Sequence, residues 1–385
     1  MFPQLDPTEA TYLAGLIVSI FGILLFSGLA FWMIRRKQKT NTTETIPTPF
    51  TEANYPDSSS VTLAEFCPLT PTEQLERCSA LEQAYLSWKA KRLLQVEDGH
   101  NLFVRAGVEK SGLRYQLVAS SQVQAFAILL SILMAENDPQ ASTQAEALFA
   151  SLLAHPAYKQ SELSSWKYLP DLPRSPKLDP DPHAEAWAIL AILMATRRWQ
   201  AINRFHYSEL IPERLHALQK YIETLKPEQT GRLPFAGYLV KKLIQLEPGL
   251  DWSALSESQE LFSIKIEEHN FFGNEPDTSR LGLSLLQLGL LALVDRDPDA
   301  LRAIRSAQTE LIELVEGYSK NSATGTELSS PAMLACAVPA LLTLREKDPL
   351  DQVWNELVSM KPDKNDGLGA TLKLLGMAFL ANKQI

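Results

Sequence analysis

Cysteine, clustered histidine, basic charge and strand-like alternation are all scarce in this sequence, and each scarcity removes a class of explanation. The three cysteines (Cys67, Cys78 and Cys336) are too far apart for a disulfide framework or a zinc pattern, and they read as free thiols. The six histidines never pair at HxxxH spacing, so the sequence offers no metal site, and no cofactor motif stands out. The net charge is −9, with no basic stripe to offset it, which argues against nucleic acid as a partner. Period-two alternation of apolar and polar residues is rare after residue 70, which argues against a sandwich or barrel.

One uncharged apolar run is long. Residues 12–34, YLAGLIVSIFGILLFSGLAFWMI, would span ~34 Å as a helix, the thickness of a bilayer's hydrocarbon core with slight tilt. Tyr12 and Trp32 sit near its ends, where aromatic rings favour the interface. The flank before it is acidic (Asp6, Glu9) and no small-residue cleavage site follows, which speaks against a signal peptide. Residues 1–37 therefore read as a transmembrane anchor with the lipid bilayer as partner. Arg35, Arg36, Lys37 and Lys39 follow the helix, so the positive-inside rule puts the rest of the chain in the cytoplasm, with an extracytoplasmic domain as the alternative. Residues 38–70 are rich in Thr, Ser and Pro and read as a flexible tether.

From residue 71 to 385 helical periodicity dominates. About twelve helices are expected, near 71–95, 120–136, 141–154, 183–198, 208–224, 234–246, 252–262, 278–294, 298–317, 329–344, 349–358 and 366–381. Thr70-Pro71, Asp297-Pro298 and Asp348-Pro349 supply start signals, a capping residue before proline at the first helical position. AFAILLSILMA (125–135) and LGLSLLQLGLLALV (281–294) are apolar nearly all round and belong in a buried layer. The segment 298–318 carries one apolar stripe and belongs outside. The fold class expected is all-α, an (α/α)6 toroid of about twelve helices preceded by one transmembrane helix. A tetratricopeptide-like solenoid is the competitor, but no fixed repeat period is present. The long loop at 155–182 is of the kind that shapes a cleft.

Three blocks of the sequence resemble one family. They are WKAKRLLQVEDGHNLF (88–103), VASSQVQAFAILLSILMAEND (118–138) and HAEAWAILAILMATRRW (183–199). In the last, Ala191, Leu193, Ala195 and Trp199 fit a D-[AG]-D pattern followed by an apolar helix ending in tryptophan. In the second, Ser121, Gln124, Phe126 and Leu129 fit a segment built on S-E-G-Q. These blocks are similar to glycoside hydrolase family 8, which includes the endoglucanases of bacterial cellulose-synthesis systems. Weaker echoes run through 233–252, Pro276-Asp277 and the helix pairs of 278–318 and 329–381.

The resemblance implies an inverting glycosidase, which needs a general acid and a carboxylate base across the sugar. It places Gln122 at the acid position, and glutamine can donate a hydrogen bond but cannot deliver a proton. The sugar-gripping D-[AG]-D becomes His183-Ala184-Glu185. The base position falls on Gly282 and the arginine of the same motif on Leu285, with Glu275 and Asp277 as nearby carboxylates. The family acid and base are thus replaced, and a degenerate member is expected.

Three functions follow. The first is a catalytically impaired glycosidase relative that binds β-glucan or scaffolds polysaccharide-synthesis proteins. Gln122, Gln124, Trp166, His183 and Glu185 are its binding candidates, with Tyr168 and Trp187 as further aromatics. The second is an active endo-β-1,4-glucanase whose carboxylates have moved, with Glu185 and either Asp181 or Asp277 as the fallback pair. The third is a helical adaptor that binds only protein.

Overall fold

Thr70 starts the first long helix as its sequence predicts. Its hydroxyl accepts from the Glu73 backbone N–H (3.3 Å) while Glu73 accepts from the Thr70 N–H (2.8 Å), a reciprocal capping box that opens α1 (Pro71–Arg92). The computed structural model describes residues 63–95, 102–111, 114–157, 162–169, 178–199, 207–225, 237–253, 278–324 and 331–383. The chain divides into two units, Met1–Thr51 and Glu52–Ile385. The first unit, with the expected anchor at 12–34, lies outside the described residues. Among those described, no helix is long and apolar enough to cross a membrane.

Twelve α-helices are present among the described residues. Six of them form a closed inner ring: α2 (Ser121–Leu133), α4 (Pro182–Trp199), α6 (Gly237–Leu246), α7 (Thr278–Val294), α10 (Pro331–Leu344) and α12 (Gly367–Leu380). Each packs on the next, and α12 packs back on α2. Outside them lie α1, α3 (Ala141–Ala154), α5 (Ile211–Glu223), α8 (Pro298–Ser306), α9 (Gln308–Thr324) and α11 (Lys347–Ser359). The reason is compositional. In α2 and α12 nearly every residue is buried, which only a helix covered on all sides allows. In α1 the buried residues Arg77, Leu81, Tyr85, Trp88 and Arg92 form one stripe. Among the described residues an outer helix or helix pair separates most successive inner helices in the chain. This is the (α/α)6 arrangement.

Gly289 sets one contact of the ring. A Cβ there would lie 2.4 Å from the Ala340 backbone nitrogen and 2.8 Å from the Pro339 ring, so only glycine lets α7 approach α10 this closely.

The structure departs from the sequence reading in five places. Five short strands occupy part of the region read as helix and loop: β1 (Leu93–Gln95), β2 (Leu102–Val104), β3 (Gly107–Ser111), β4 (Arg114–Ser120) and β5 (Lys167–Tyr168). Each spans two to seven residues, too short to register as alternation. The tether read to residue 70 ends earlier, because Leu63, Phe66 and Cys67 are apolar enough to bury and Leu63–Glu65 forms a 3-10 turn. The segment 298–317 is two helices with a break at Ala307. The helix expected from 349 starts at Lys347, and Glu346 rather than Asp348 occupies the cap position. The helix expected from 208 begins at Ile211, after a 3-10 turn at Tyr207–Leu210. Most of the helix expected at 252–262 lies outside the described residues. All three cysteines are free, with Cys67 and Cys336 buried.

The strands matter because of where they lead. β4 runs directly into α2, and Ser120, its last residue, caps the helix by accepting from the Val123 N–H (3.3 Å). β5 pairs with the end of β4 through Ala119↔Tyr168 and Ser120↔Lys167, which brings the long 155–182 loop against the start of α2.

Candidate functional site

The first turns of α2 and α4 meet at one end of the ring, and they bring together two residues singled out by sequence. The Gln122 amide lies 3.3 Å from Nδ1 of His183. On the other side of the imidazole, Trp187 Nε1 donates to His183 Nε2 (3.0 Å), and the Gln287 amide from α7 reaches the same nitrogen at 3.2 Å. Tryptophan's ring nitrogen can only donate, so Nε2 is bare and the ring proton sits on Nδ1. The Gln122 atom placed nearest Nδ1 is Nε2, so a proton on Nδ1 assigns the amide in its flipped orientation, with the oxygen accepting from Nδ1. Burial pushes the His183 pKa down to about 3, so the imidazole is uncharged at neutral pH. The centre of the cluster is therefore a neutral chain of hydrogen bonds from α2 through α4 to α7.

Around it, aromatic packing fixes the ring. Trp187 lies 5.3 Å from Phe126 and 6.2 Å from Tyr238, centre to centre. Trp166, in the long loop, is 44% exposed, and Lys167 Nζ stands 5.0 Å above its ring. Its backbone carbonyl accepts from the Ser121 N–H (3.2 Å), which ties the loop to the residue beside Gln122.

Asp181 is the carboxyl at this junction. Its Oδ1 accepts from the Ala184 N–H (2.9 Å), capping α4, and its Oδ2 lies 3.5 Å from the Ser121 hydroxyl. Burial raises its pKa against the opposing pull of those backbone hydrogen bonds.

The other sequence candidates are placed as follows. Glu185 is 2% exposed and accepts from Arg214 Nε (2.6 Å) and from the Ser164 N–H (3.2 Å). Arg214 also donates to the Glu162 carbonyl (2.7 Å) and the Ser164 hydroxyl (3.3 Å), so the pair locks the loop and α5 onto α4. Gln124 is fully buried, and both ends of its amide bond the Val104 backbone (3.2 and 3.3 Å), fixing β2. Tyr168 is buried and stacks on His155 at 4.1 Å. A side chain at Gly282 would point at Met333 and Cys336 of α10, 3.1 and 3.6 Å away. Leu285 is buried in α7. Glu275 and Asp277 lie outside the described residues. No group of three or more metal-ligating side chains occurs among the described residues.

Sequence reasoning missed Gln287 and Arg214. Gln287 had a signal: it is the one side chain in LGLSLLQLGLLALV that carries an amide, and a polar group in an all-buried helix must find a partner. Arg214 lies on an amphipathic outer helix, where its contact with Glu185 is visible only in three dimensions.

No protein-family model matches the sequence, and no curated protein does. Solved structures do match. A β-1,3-1,4-glucanase from Paenibacillus sp. X4 is 14% identical with a TM-score of 0.61, over 88% of this chain and 99% of that one. A cold-adapted family 8 xylanase is 12% identical, TM-score 0.56, over 89% and 98%. A reducing-end-xylose releasing exo-oligoxylanase is 14% identical, TM-score 0.58, over 86% and 98%. At such identities the likeness establishes a shared fold, that of glycoside hydrolase family 8 enzymes.

Proposed function

We propose that this chain is a membrane-anchored relative of family 8 glycosidases that binds a β-glucan and has lost most of its capacity to hydrolyse it. The observation that carries this reading is the Gln122–His183 pair. Where the resemblance calls for a carboxylic acid, an amide is hydrogen-bonded to an imidazole that stays neutral at pH 7. Neither group delivers a proton there. The half-buried Gln122 amide can exchange hydrogen bonds with hydroxyls, while His183 is buried and holds that amide in place, and the exposed Trp166 ring offers a stacking face for a sugar. Binding energy of this kind survives the loss of a titrating acid. The anchor at residues 12–34 and the cytoplasmic side of the domain belong to the same proposal. A glucan bound there would serve recognition within a polysaccharide-synthesis assembly rather than trimming of exported polymer.

The test uses the full chain in a neutral detergent. Mixed-linkage β-glucan and cello-oligosaccharides are titrated by calorimetry, and reducing ends are assayed in parallel. Saturable binding that Trp166→Ala weakens, with reducing-end release no higher than a no-protein control, is the expected outcome. Robust hydrolysis abolished by Asp181→Asn or Asp277→Asn overturns the impairment. Failure to bind any β-glucan overturns the glycan role in favour of a protein-binding adaptor. Protease protection of membrane vesicles reads the side of the membrane.

A further inference from the structure

A concave site lies where the inner helices α7 and α10 end, and none of the Gln122–His183 cluster lines it. It is a cavity of about 480 Å³ whose lining includes Phe66, Arg296, Leu301, Arg305, Gln308 and Arg345. That volume is within the range that holds small organic ligands. Three guanidinium groups on one cavity stand out in a chain of net charge −9.

The backbone makes the arrangement harder to dismiss as surface decoration. Arg296 and Arg345 both adopt left-handed backbone, with φ of 52° and 60°. Arg296 is the second residue after α7 and Arg345 the first after α10. Glycine or asparagine would adopt that conformation more easily, and one of them is the ordinary choice at a helix end. The favourable interaction of a cation with a helix C-terminus does not require this strain, since arginine in the last helical turn supplies it with ordinary backbone angles. The same left-handed ending follows the inner helix α12, where it is taken by Asn382 (φ 53°), a residue that suits it; after α7 and α10 arginine takes it instead, and both arginines line the cavity.

The groups facing the cavity leave positive charge in surplus. Arg296 pairs with Glu65 (3.3 Å). Glu346 accepts from Gln308. Arg345 lies 5.0 Å above the Phe66 ring, and Arg305 forms no ion pair with a described residue. Set against Glu65 and Glu346, three arginines leave one positive charge, and among the described residues no carboxylate pairs with the Arg305 or Arg345 guanidinium fork. Such forks match phosphate oxygens. The walls are apolar where Phe66 and Leu301 stand, which suits a ligand with an organic body.

We propose that this cavity binds a phosphate-bearing organic anion, held by Arg305 and Arg345 with Arg296 at the rim. The phosphate group has two sources, a free phosphorylated metabolite or an anionic phospholipid headgroup, and the same forks recognise either. This site is independent of the sugar-binding reading.

The full chain in neutral detergent is titrated by calorimetry with pyrophosphate, with a nucleoside diphosphate, and with water-soluble dihexanoyl phosphatidylglycerol. Dihexanoyl phosphatidylcholine is the zwitterionic control. Two variants are compared, Arg305→Gln and Arg345→Asn. The first removes an exposed fork from α8. The second keeps a residue that tolerates left-handed backbone, so its melting temperature stays level or rises. Each is expected to weaken binding about tenfold or more, as loss of a charge-assisted hydrogen bond does. Binding of the soluble phosphates identifies a metabolite site, and binding of the phosphatidylglycerol analogue alone identifies a headgroup site. No binding by any probe, or binding that neither variant changes, overturns the proposal. A melting temperature that falls in Arg345→Asn with no binding at all assigns the arginine to the fold instead.

Discussion

His183 and Glu185 stand two residues apart on the first turns of α4, and both are almost wholly buried, yet their surroundings are opposite in kind. His183 sits among uncharged partners, with Gln122, Trp187 and Gln287 each supplying or accepting one hydrogen bond. Glu185 is met by a full positive charge from Arg214 and by the Ser164 N–H. The side chains point to different neighbours because a helix turns about 100° per residue, so residues two apart stand about 200° apart around the axis. One side of α4 carries a neutral network toward α2 and α7. The other carries an ion pair toward α5 and the long loop. The two sides are separable by experiment: the ion pair should govern stability, and the neutral network should govern acid sensitivity and ligand chemistry.

The largest effect belongs to the ion pair. Arg214→Met leaves the Glu185 carboxylate buried without its countercharge and should cost about 3–5 kcal/mol of stability. Urea denaturation monitored by circular dichroism measures it. Replacing both partners, Glu185→Leu with Arg214→Met, should recover most of that loss, because the penalty comes from the stranded charge rather than from a missing attraction. If the double variant is as unstable as the single one, the pair is not a simple lock, and the hydrogen bonds to Ser164 and the Glu162 carbonyl carry the difference.

The neutral side predicts a pH dependence. His183 has its folded pKa lowered from the ordinary 6.5 to about 3 by burial. Between those values the unfolded chain binds a proton that the folded chain does not. Stability from this group is therefore intact above pH 6.5 and falls as pH drops toward 3, by about 1.4 kcal/mol per pH unit. His183→Gln should flatten that slope. The difference is best read between pH 6.5 and 5, where few carboxylates titrate. Parallel slopes in the two proteins would place the proton uptake elsewhere.

How much of this was visible beforehand follows from the physics of each signal. The inner helices were legible because burial on all sides demands continuous apolar residues, as in 125–135 and 281–294. The starts of α1 and α8 were legible because Thr70 and Asp297 cap through their own side chains. The strands were not, since two to seven residues give no period to read. Gln122 and His183 came from the family resemblance, and the structure brings them within a hydrogen bond. What the sequence concealed was direction. Gln124 and Glu185 belong to the same motifs, but one clamps Val104 and the other pairs with Arg214, and no local pattern separates a side chain that lines a cleft from one that closes a loop.

A smaller effect tests the network's internal order. Trp187→Phe keeps an aromatic ring against Phe126 but removes the N–H that donates to His183 Nε2. The expected cost is about 1 kcal/mol, the usual net value of one hydrogen bond. More telling is the tautomer. With that donor gone, nitrogen-15 spectra of the imidazole should show a weaker preference for the proton on Nδ1. An unchanged tautomer would mean that the Trp187 N–H does not fix the ring.

The smallest expected change is in hydrolysis when the acid is put back. Gln122→Glu restores the residue type that the family resemblance implies at this position, but the structure says why that is not enough. The new carboxyl would lie where the amide now lies, 3.3 Å from His183 Nδ1. Facing an N–H, it gains most as the ionised acceptor, and its charge in turn favours protonation of the imidazole. The variant should therefore hold an ion pair rather than a protonated acid, and His183 should titrate well above its present value of about 3. Without a base, reducing-end release from β-glucan should stay within about tenfold of background. Adding Gly282→Asp should not help, because a side chain there meets Met333 and Cys336 of α10. The measurement is a pair: imidazole titration followed by proton spectra, and reducing-end assay of both variants. A rise in the histidine pKa with no gain in hydrolysis fits the neutral network as it is drawn. A large gain from Gln122→Glu alone would mean that a base is already in place and that one substitution separates this chain from an active enzyme.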